Sequence, residues 1–330
     1  MLIIPEIGIN HDGSFRKAMQ LVWAAHQAGA RCVKFQCHIP DDEMIPQAKT
    51  IIPSNATENI YDMMARCAFS EEQERALKKY TESLGMLYLS TPFSRAAADR
   101  LNAMGVKAFK IGSGECNNIP LIRHIASFGK PVILSTGMND DISEAVQALR
   151  DACIPFALLH CVSMYPTPYD KVNLFRMVDL RERYHVPVGL SDHSHGIYTA
   201  LAAVALGAQI IEKHFTLDRA WPGADNPISI TPEELGELIK GARAISGALH
   251  KRDERNNGER KTSEFAFASV VSTRDIKKGE RFTYDNTWVK RPGGGIPARF
   301  YYDVLGCTAI KDIAKDRQIQ AKDCSRNRGA

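Results

Sequence analysis

VPVGLSDHSHGIYTALAAVALGAQIIEKHF, residues 186–215, shows the fold in miniature. An apolar run at 186–190 ends on the polar stretch SDHSHG, a helical stretch follows at 196–206, and a second apolar run at 209–213 ends on Lys213 and His214. Strand, helix, strand is the crossover unit of a parallel sheet. Runs that are apolar throughout suit strands covered on both faces. The pattern extends back through the chain, with strands predicted at 2–6, 31–36, 86–90, 107–111, 131–135 and 155–160. Helices are predicted near 15–29, 71–84, 94–104, 118–128, 141–153, 172–184 and 231–247. Two starts are well marked: Ser70 with Gln73, and Thr231 with Glu234, have capping-box spacing, and Pro232 takes the first helical position. Eight successive βα units favour a closed (β/α)₈, or TIM, barrel over an open doubly wound sheet, whose phosphate fingerprints GxGxxG and GxxxxGK[ST] do not occur.

A barrel of roughly 250 residues leaves a remainder in a chain of 330. The predicted barrel spans 1–248, a polar linker 249–264, and a small β-rich domain 265–330, where apolar runs at 265–271 and 286–289 flank the turn IKKGE. The longest insertion, 37–70, follows the second strand, and a loop of that length is usually functional.

Net charge is +4, too small to argue for nucleic acid. It is uneven: 249–330 carries 18 Lys and Arg against 11 Asp and Glu, whereas 1–248 has 24 against 27. A basic appendage on an acidic body either favours an anionic ligand or is solvated surface. The eight Cys (32, 37, 67, 116, 153, 161, 307, 324) form no CxxC pair and read as reduced, mostly buried thiols of a cytoplasmic enzyme. MLIIPEIGINHDG lacks a basic start and reads as a strand rather than a signal peptide. No stretch approaches the roughly 18 apolar residues of a membrane span.

In a (β/α)₈ barrel, chemistry gathers where strands run into βα loops. Polar residues fall there on all eight strands: Glu6, Asn10 and His11; Lys34 and Gln36; Thr91; Lys110, Ser113 and Glu115; Ser135 and Thr136; His160, Ser163 and Tyr165; Ser191, Asp192 and His193; Lys213 and His214. Lysines and hydroxyls suit a phosphate and a carboxylate. Glu6 is suited to orienting a sugar hydroxyl or a metal-bound water, or to moving a proton. His193 and His214 end adjacent strands. They are either a metal-binding pair with open positions for water and substrate, with Asp225 of PGAD assisting, or two unrelated histidines on a polar rim. His160 and His195 read as supporting residues. His11 either binds substrate or holds its loop.

EIGINHDG (6–13), VKFQ (33–36), STPFS (90–94), KIGSGECNN (110–118), ILSTGM (133–138), YPTP (165–168), GLSDHS (189–194) and EKHFT (212–216) resemble the bacterial sialic acid synthase family. FAFASVV (265–271), IKKGE (276–280) and WVKRPGGG (288–295) are similar to the antifreeze-protein-like (SAF) domain that ends those enzymes. The resemblance implies an N-acetylneuraminate synthase. Phosphoenolpyruvate and open-chain N-acetylmannosamine would give N-acetylneuraminate and phosphate by C–O cleavage, with Mn²⁺ or Mg²⁺ bound. It implies that His193 and His214 ligate the metal, and that Lys34, Thr91, Lys110, Ser113, Ser135 and Ser191 surround phosphoenolpyruvate. Glu6 would position water and substrate, and Gln36, Glu115, Ser163, Tyr165 and Asp225 would meet the sugar. Arg291 would be inserted by the small domain of one subunit into its partner's barrel, in a domain-swapped homodimer.

Three residues leave the implied roles open. Glu115 has a rival capping role at a helix start. Phe265 either lines the N-acyl pocket or sits in the core of the small domain. Ser163 is shorter than the amide side chain that some neuraminate-making members carry there, which opens the alternative of a legionaminic or pseudaminic acid synthase acting on a 6-deoxy diacetamido sugar. More distant rivals are a deoxy-keto acid synthase using a sugar phosphate, a Schiff-base lyase without metal, and an inactive carbohydrate- or ice-binding barrel.

Overall fold

Eight parallel strands form the first part of the computed structural model, which describes residues 1–249 and 257–325. They are β1 (Leu2–Gly8), β2 (Cys32–Cys37), β3 (Leu87–Pro92), β4 (Phe109–Ile111), β5 (Val132–Ser135), β6 (Phe156–Cys161), β7 (Val188–Asp192) and β8 (Ile210–His214). Their order, β3-β2-β1-β8-β7-β6-β5-β4, makes every strand the neighbour of its successor once β1 pairs with β8. β3 and β4 lie side by side at the seam, so the barrel is nearly closed. This order rules out the doubly wound alternative.

The helices of this unit are α1 (Phe15–Gln27), α2 (Pro40–Glu43), α3 (Ile60–Cys67), α4 (Glu71–Ser83), α5 (Arg95–Ala103), α6 (Ile119–Ala126), α7 (Ser143–Asp151), α8 (Phe175–Tyr184), α9 (Tyr198–Ala205) and α10 (Pro232–Ala248). Both capping boxes form: Ser70 and Thr231 accept from the backbone N–H three residues on, and Gln73 and Glu234 reach back. The sequence gives no sign of α2 and α3, which are short pieces inside the 37–70 insertion. Arg66 of α3 pairs with Asp12 after β1 and with Glu58, tying the insertion down.

Strand alternation builds two cores. Val33, Phe35, Tyr88, Leu134, Leu158, Leu190 and Ile211 point outward and pack with the helices. Their neighbours Ile4, Cys32, Leu89, Ile133, Ala157, Leu159 and Ile210 form a separate cluster inside the barrel. Gly189 belongs to this inner layer. A Cβ there would lie 2.0 Å from the Ile210 carbonyl oxygen and 2.8 Å from a Leu159 methyl. Gly189→Ala is therefore expected to destabilise the barrel by about 3 kcal/mol, read as a lower midpoint in urea. An unchanged midpoint would mean that β7 and β8 can separate freely.

The chain divides into two compact units, Met1–His250 and Lys251–Ala330. The second has α11 (Asn257–Ala266), β9 (Ser269–Ser272) antiparallel to β10 (Thr287–Lys290), α12 (Tyr301–Val304), and β11 (Thr308–Ala309) antiparallel to β12 (Cys324–Ser325). Val270, Ile276, Phe282, Tyr301, Ile313 and Ile319 are its core. Two expectations change here. Part of the stretch read as linker is helical, with residues 250–256 outside the described residues. Phe265, on α11, is 63% exposed and so is not a core residue of this unit. All eight Cys are unpaired and six are buried. Among the described residues no helix is long and apolar enough to cross a membrane.

Candidate active site

Above the apolar layer the inward positions turn polar: Glu6, Lys34, Thr91, Lys110, Ser135, Ser191 and Glu212, all buried. Lys34 Nζ lies 2.8 Å from Glu6 Oε1 and donates to Thr91 Oγ1 at 3.0 Å. Lys110 Nζ donates to Ser135 Oγ at 2.7 Å and to the Ile111 carbonyl at 3.0 Å, and it stands 3.6 Å from Glu212 Oε1. Ser191 Oγ donates to the same Glu212 oxygen at 3.0 Å. Burial pushes Glu6 up, against the pull of Lys34. Despite its own burial, Glu212 is held down by Lys110 and Lys34. Burial pushes Lys110 down, whereas Glu212 and Glu6 hold Lys34 up in spite of burial.

A cavity of about 330 Å³ opens over this layer. Lys34, Gln36, Thr91, Lys110, Ser113, Ser135, Ser163, Tyr165, Ser191, Asp225, Glu6 and both rim histidines face it, so the barrel brings together nearly all the residues singled out from sequence. Gly137 leaves room at one wall: a Cβ would meet Ser163 Oγ at 2.6 Å and Ser113 Oγ at 2.9 Å. Its N–H donates to Ser113 Oγ at 3.0 Å. Gly8, at φ +50°, makes similar room for Glu6, whose Oε1 a Cβ would meet at 2.9 Å.

His193 and His214 stand with ring centroids 5.3 Å apart, and Tyr165 packs against His193 at 4.1 Å. His193 Nδ1 donates to the Val162 carbonyl at 2.9 Å, which fixes the proton on that nitrogen and leaves Nε2 free to ligate. Burial, then the neighbouring His193 ring and the Lys34 ammonium, pushes His214 well below the usual imidazole range. Its Nδ1 is buried without a hydrogen-bond partner, 3.7 Å from Asp225 Oδ2. Burial raises Asp225 to about 6. Among the described residues no three His, Cys, Asp or Glu side chains form a complete metal cage. The donor set is thus two imidazoles with carboxylates nearby, and the unpartnered His214 nitrogen fits a divalent ion that leaves positions for water and substrate.

Other residues fall elsewhere. Glu115 is not among the residues lining the cavity and accepts from Asn118 Nδ2 at 2.7 Å, while the cap of α6 is Asn118 itself, which accepts from Leu121 N–H. His11 takes the loop-holding alternative: it accepts from Gly13 N–H, stacks on Phe69 at 4.3 Å, and burial pushes it down to about 3. His160 bonds the Val172 carbonyl at 2.7 Å, and His195 is exposed. Asp192 and Lys213 point out of the barrel and pair with each other at 2.9 Å. Arg291 is exposed on the second unit. Glu212 was overlooked in the sequence, although strand alternation places it on the same side as His214.

The NeuB family profile matches residues 21–254, and the SAF domain profile matches 267–324. The N,N'-diacetyllegionaminic acid synthase of Campylobacter jejuni is 38% identical, over 97% of this chain and 98% of its own. The human N-acetylneuraminate-9-phosphate synthase is 31% identical, over 96% and 90%. The crystal structure of an N-acetylneuraminic acid synthetase from Leptospira borgpetersenii superposes with a TM-score of 0.72 at 33% identity, covering 79% of this chain and 89% of that one. A polar-lined barrel of this build, matched over most of its length by sialic-acid-type synthases, belongs to the NeuB family and carries a C-terminal SAF domain.

Proposed function

We propose that this protein condenses phosphoenolpyruvate with an open-chain N-acylated hexosamine, giving a sialic-acid-type product and phosphate. The carrying observation is one cavity with two buried lysines and a set of hydroxyls on its floor and a histidine pair at its rim. Lys34 and Lys110 supply two positive charges in a water-poor site, where they hold a phosphate and a carboxylate strongly. Ser113, Ser135, Ser191 and Thr91 add donors. Mn²⁺ or Mg²⁺, held by His193 and His214, would supply Lewis acidity to the sugar aldehyde.

Held in this way, carbon 3 of phosphoenolpyruvate attacks the aldehyde carbon, whose oxygen takes up a proton. Positive character at carbon 2 is met by water, which Glu6 positions and whose first proton passes through the Glu6 carboxylate to the new alkoxide. The resulting tetrahedral carbon expels phosphate with its bridging oxygen, and the proton of its hydroxyl leaves with the phosphate as the keto group forms. Phosphoenolpyruvate labelled at that oxygen is expected to deliver the label to phosphate, and label in the keto acid would sink this sequence of steps.

N-acetylmannosamine is the acceptor in the primary reading. A 6-deoxy diacetamido sugar is the second, favoured by one wall of the cavity: Ile9, Ile60, Met63, Met64 and Ala224 offer methyl-sized apolar surface. Parallel assays of phosphate release with Mn²⁺ and each sugar decide between them. Release with none would overturn the synthase reading.

We further propose a cytoplasmic homodimer in which the second unit of one chain delivers Arg291 to its partner's barrel. Exposed Phe267, Trp288 and Tyr302 on that unit support a buried face in an assembly, and eight unpaired thiols suit a reducing compartment. Arg291→Ala is expected to raise KM for the sugar by roughly tenfold, the loss of about one charged hydrogen bond. Co-expression of Arg291→Ala with His214→Ala chains is expected to restore activity in mixed dimers, since one intact barrel then receives an intact arginine. No recovery in isolated mixed dimers would argue that each chain serves itself.

A further inference from the structure

His38 follows β2 directly and is 4% exposed, yet it faces two oxygen acceptors. Its Nδ1 lies 2.8 Å from Glu43 Oε2, and its Nε2 lies 2.9 Å from Gln36 Oε1. Gln36 Nε2 in turn donates to Glu6 Oε1 at 3.2 Å, the oxygen that meets Lys34. A chain of contacts thus runs from α2, in the insertion, through His38 and Gln36 to Glu6 at the base of the cavity.

One arrangement fits these contacts. The Glu6 carboxylate paired with Lys34 accepts hydrogen bonds, so Gln36 must turn its NH₂ toward it. The amide oxygen then faces His38, which must donate from Nε2. On its other side the ring meets Glu43 through Nδ1. The ring is thus held between the two acceptors, and Phe93 stacks flat on it at 4.5 Å and 14°.

We propose that His38 is a positioning residue that locks the Gln36 amide with its NH₂ toward Glu6, and so sets the hydrogen-bonding face offered to the acceptor sugar. The kinetic part of this inference rests on the synthase reading given above. A flipped amide would put its oxygen against the Glu6 carboxylate and forfeit both bonds. Glu43 makes the lock conditional on the insertion being in place, because the group that holds His38 arrives with α2.

A double-mutant cycle tests the lock in the full-length enzyme. His38→Phe keeps the stacking on Phe93 and removes both polar contacts. It is expected to lower kcat/KM for the sugar by roughly 10–100-fold, with KM for phosphoenolpyruvate within about twofold of the parent. In a Gln36→Met background, which has no amide to orient, the same substitution is expected to cost less than about threefold. Equal losses in both backgrounds would overturn the proposal, since they would mark His38 as mere packing.

A second measurement needs neither variant nor turnover. In protein with ¹⁵N-labelled histidine, the His38 Nε2 that faces Gln36 is expected to carry a proton. A bare Nε2 would overturn the lock. A proton on His38 Nε2 in a protein that turns over no sugar would uphold the lock and sink the synthase reading.

Discussion

His214→Ala is expected to abolish phosphate release from phosphoenolpyruvate, by at least about 10³-fold at saturating Mn²⁺, since Lewis-acid assistance contributes several kcal/mol and each tenfold in rate is about 1.4 kcal/mol. The ring is neutral because burial and nearby cations disfavour its charged form, and its Nδ1 has no partner in the protein. A buried nitrogen of this kind costs stability unless it has another use. His193→Ala should match the effect, because His193 reaches the same cavity with its other nitrogen held by Val162. His160→Ala is the control. His160 serves a backbone carbonyl, so its loss should lower the unfolding midpoint and leave Mn²⁺ affinity unchanged. Mn²⁺ binding, followed by loss of the free-ion electron paramagnetic signal, separates these outcomes without any assay. Near-parental Mn²⁺ binding by either rim variant would remove that histidine from the ligand set.

Lys213→Met is expected to cost about 3–5 kcal/mol of stability, the usual result of removing one partner from a buried ion pair. For a domain of this size that lowers Tm by roughly 10 °C. Lys213 Nζ is 2.9 Å from Asp192 Oδ2 and 2.6 Å from the Ser194 carbonyl. Asp192 also accepts from Ser194 N–H at 2.9 Å and from Thr199 Oγ1 at 2.6 Å. Taking away the ammonium leaves a carboxylate buried with hydrogen bonds but no countercharge. Since Asp192 and Lys213 each adjoin one rim histidine in the chain, weaker Mn²⁺ binding should accompany the lost stability. A denaturation midpoint within error of the parent would show that water reaches Asp192 and screens it.

The barrel was legible because its strands are apolar on both faces, and the ends of those strands named most of the cavity. The order of residues along a strand, taken alone, did not say which of them face inward. Asp192, His193, Lys213 and His214 read alike as strand-end polar residues, yet the pleat sends two of them outward into a structural pair. The same pleat, followed one step down from His214, points to Glu212, which faces the cavity beside Lys110. The insertion was harder to read. α2 has four residues and α3 eight, too short for a periodic signal to stand out, and what fixes them is tertiary: Arg66 to Asp12 and Glu58, and Glu43 to His38. Phe265 misled because an apolar run in a turn-rich segment resembles a strand, whereas here it ends a helix on an exposed face.

The two-sided use of each strand also limits how this sequence can change over generations. Removing a single residue within β8 ahead of Glu212 would shift the remainder by half a pleat, placing Lys213 inside and sending Glu212 and His214 out among the helices. Point substitutions can be absorbed one at a time, but a change of reading phase in a strand exchanges chemistry for scaffold in one event. Length variation among descendants of this gene should therefore collect in the connections, above all between Cys37 and Glu71, while the distance from the inner apolar layer to the rim stays fixed at two residues per step.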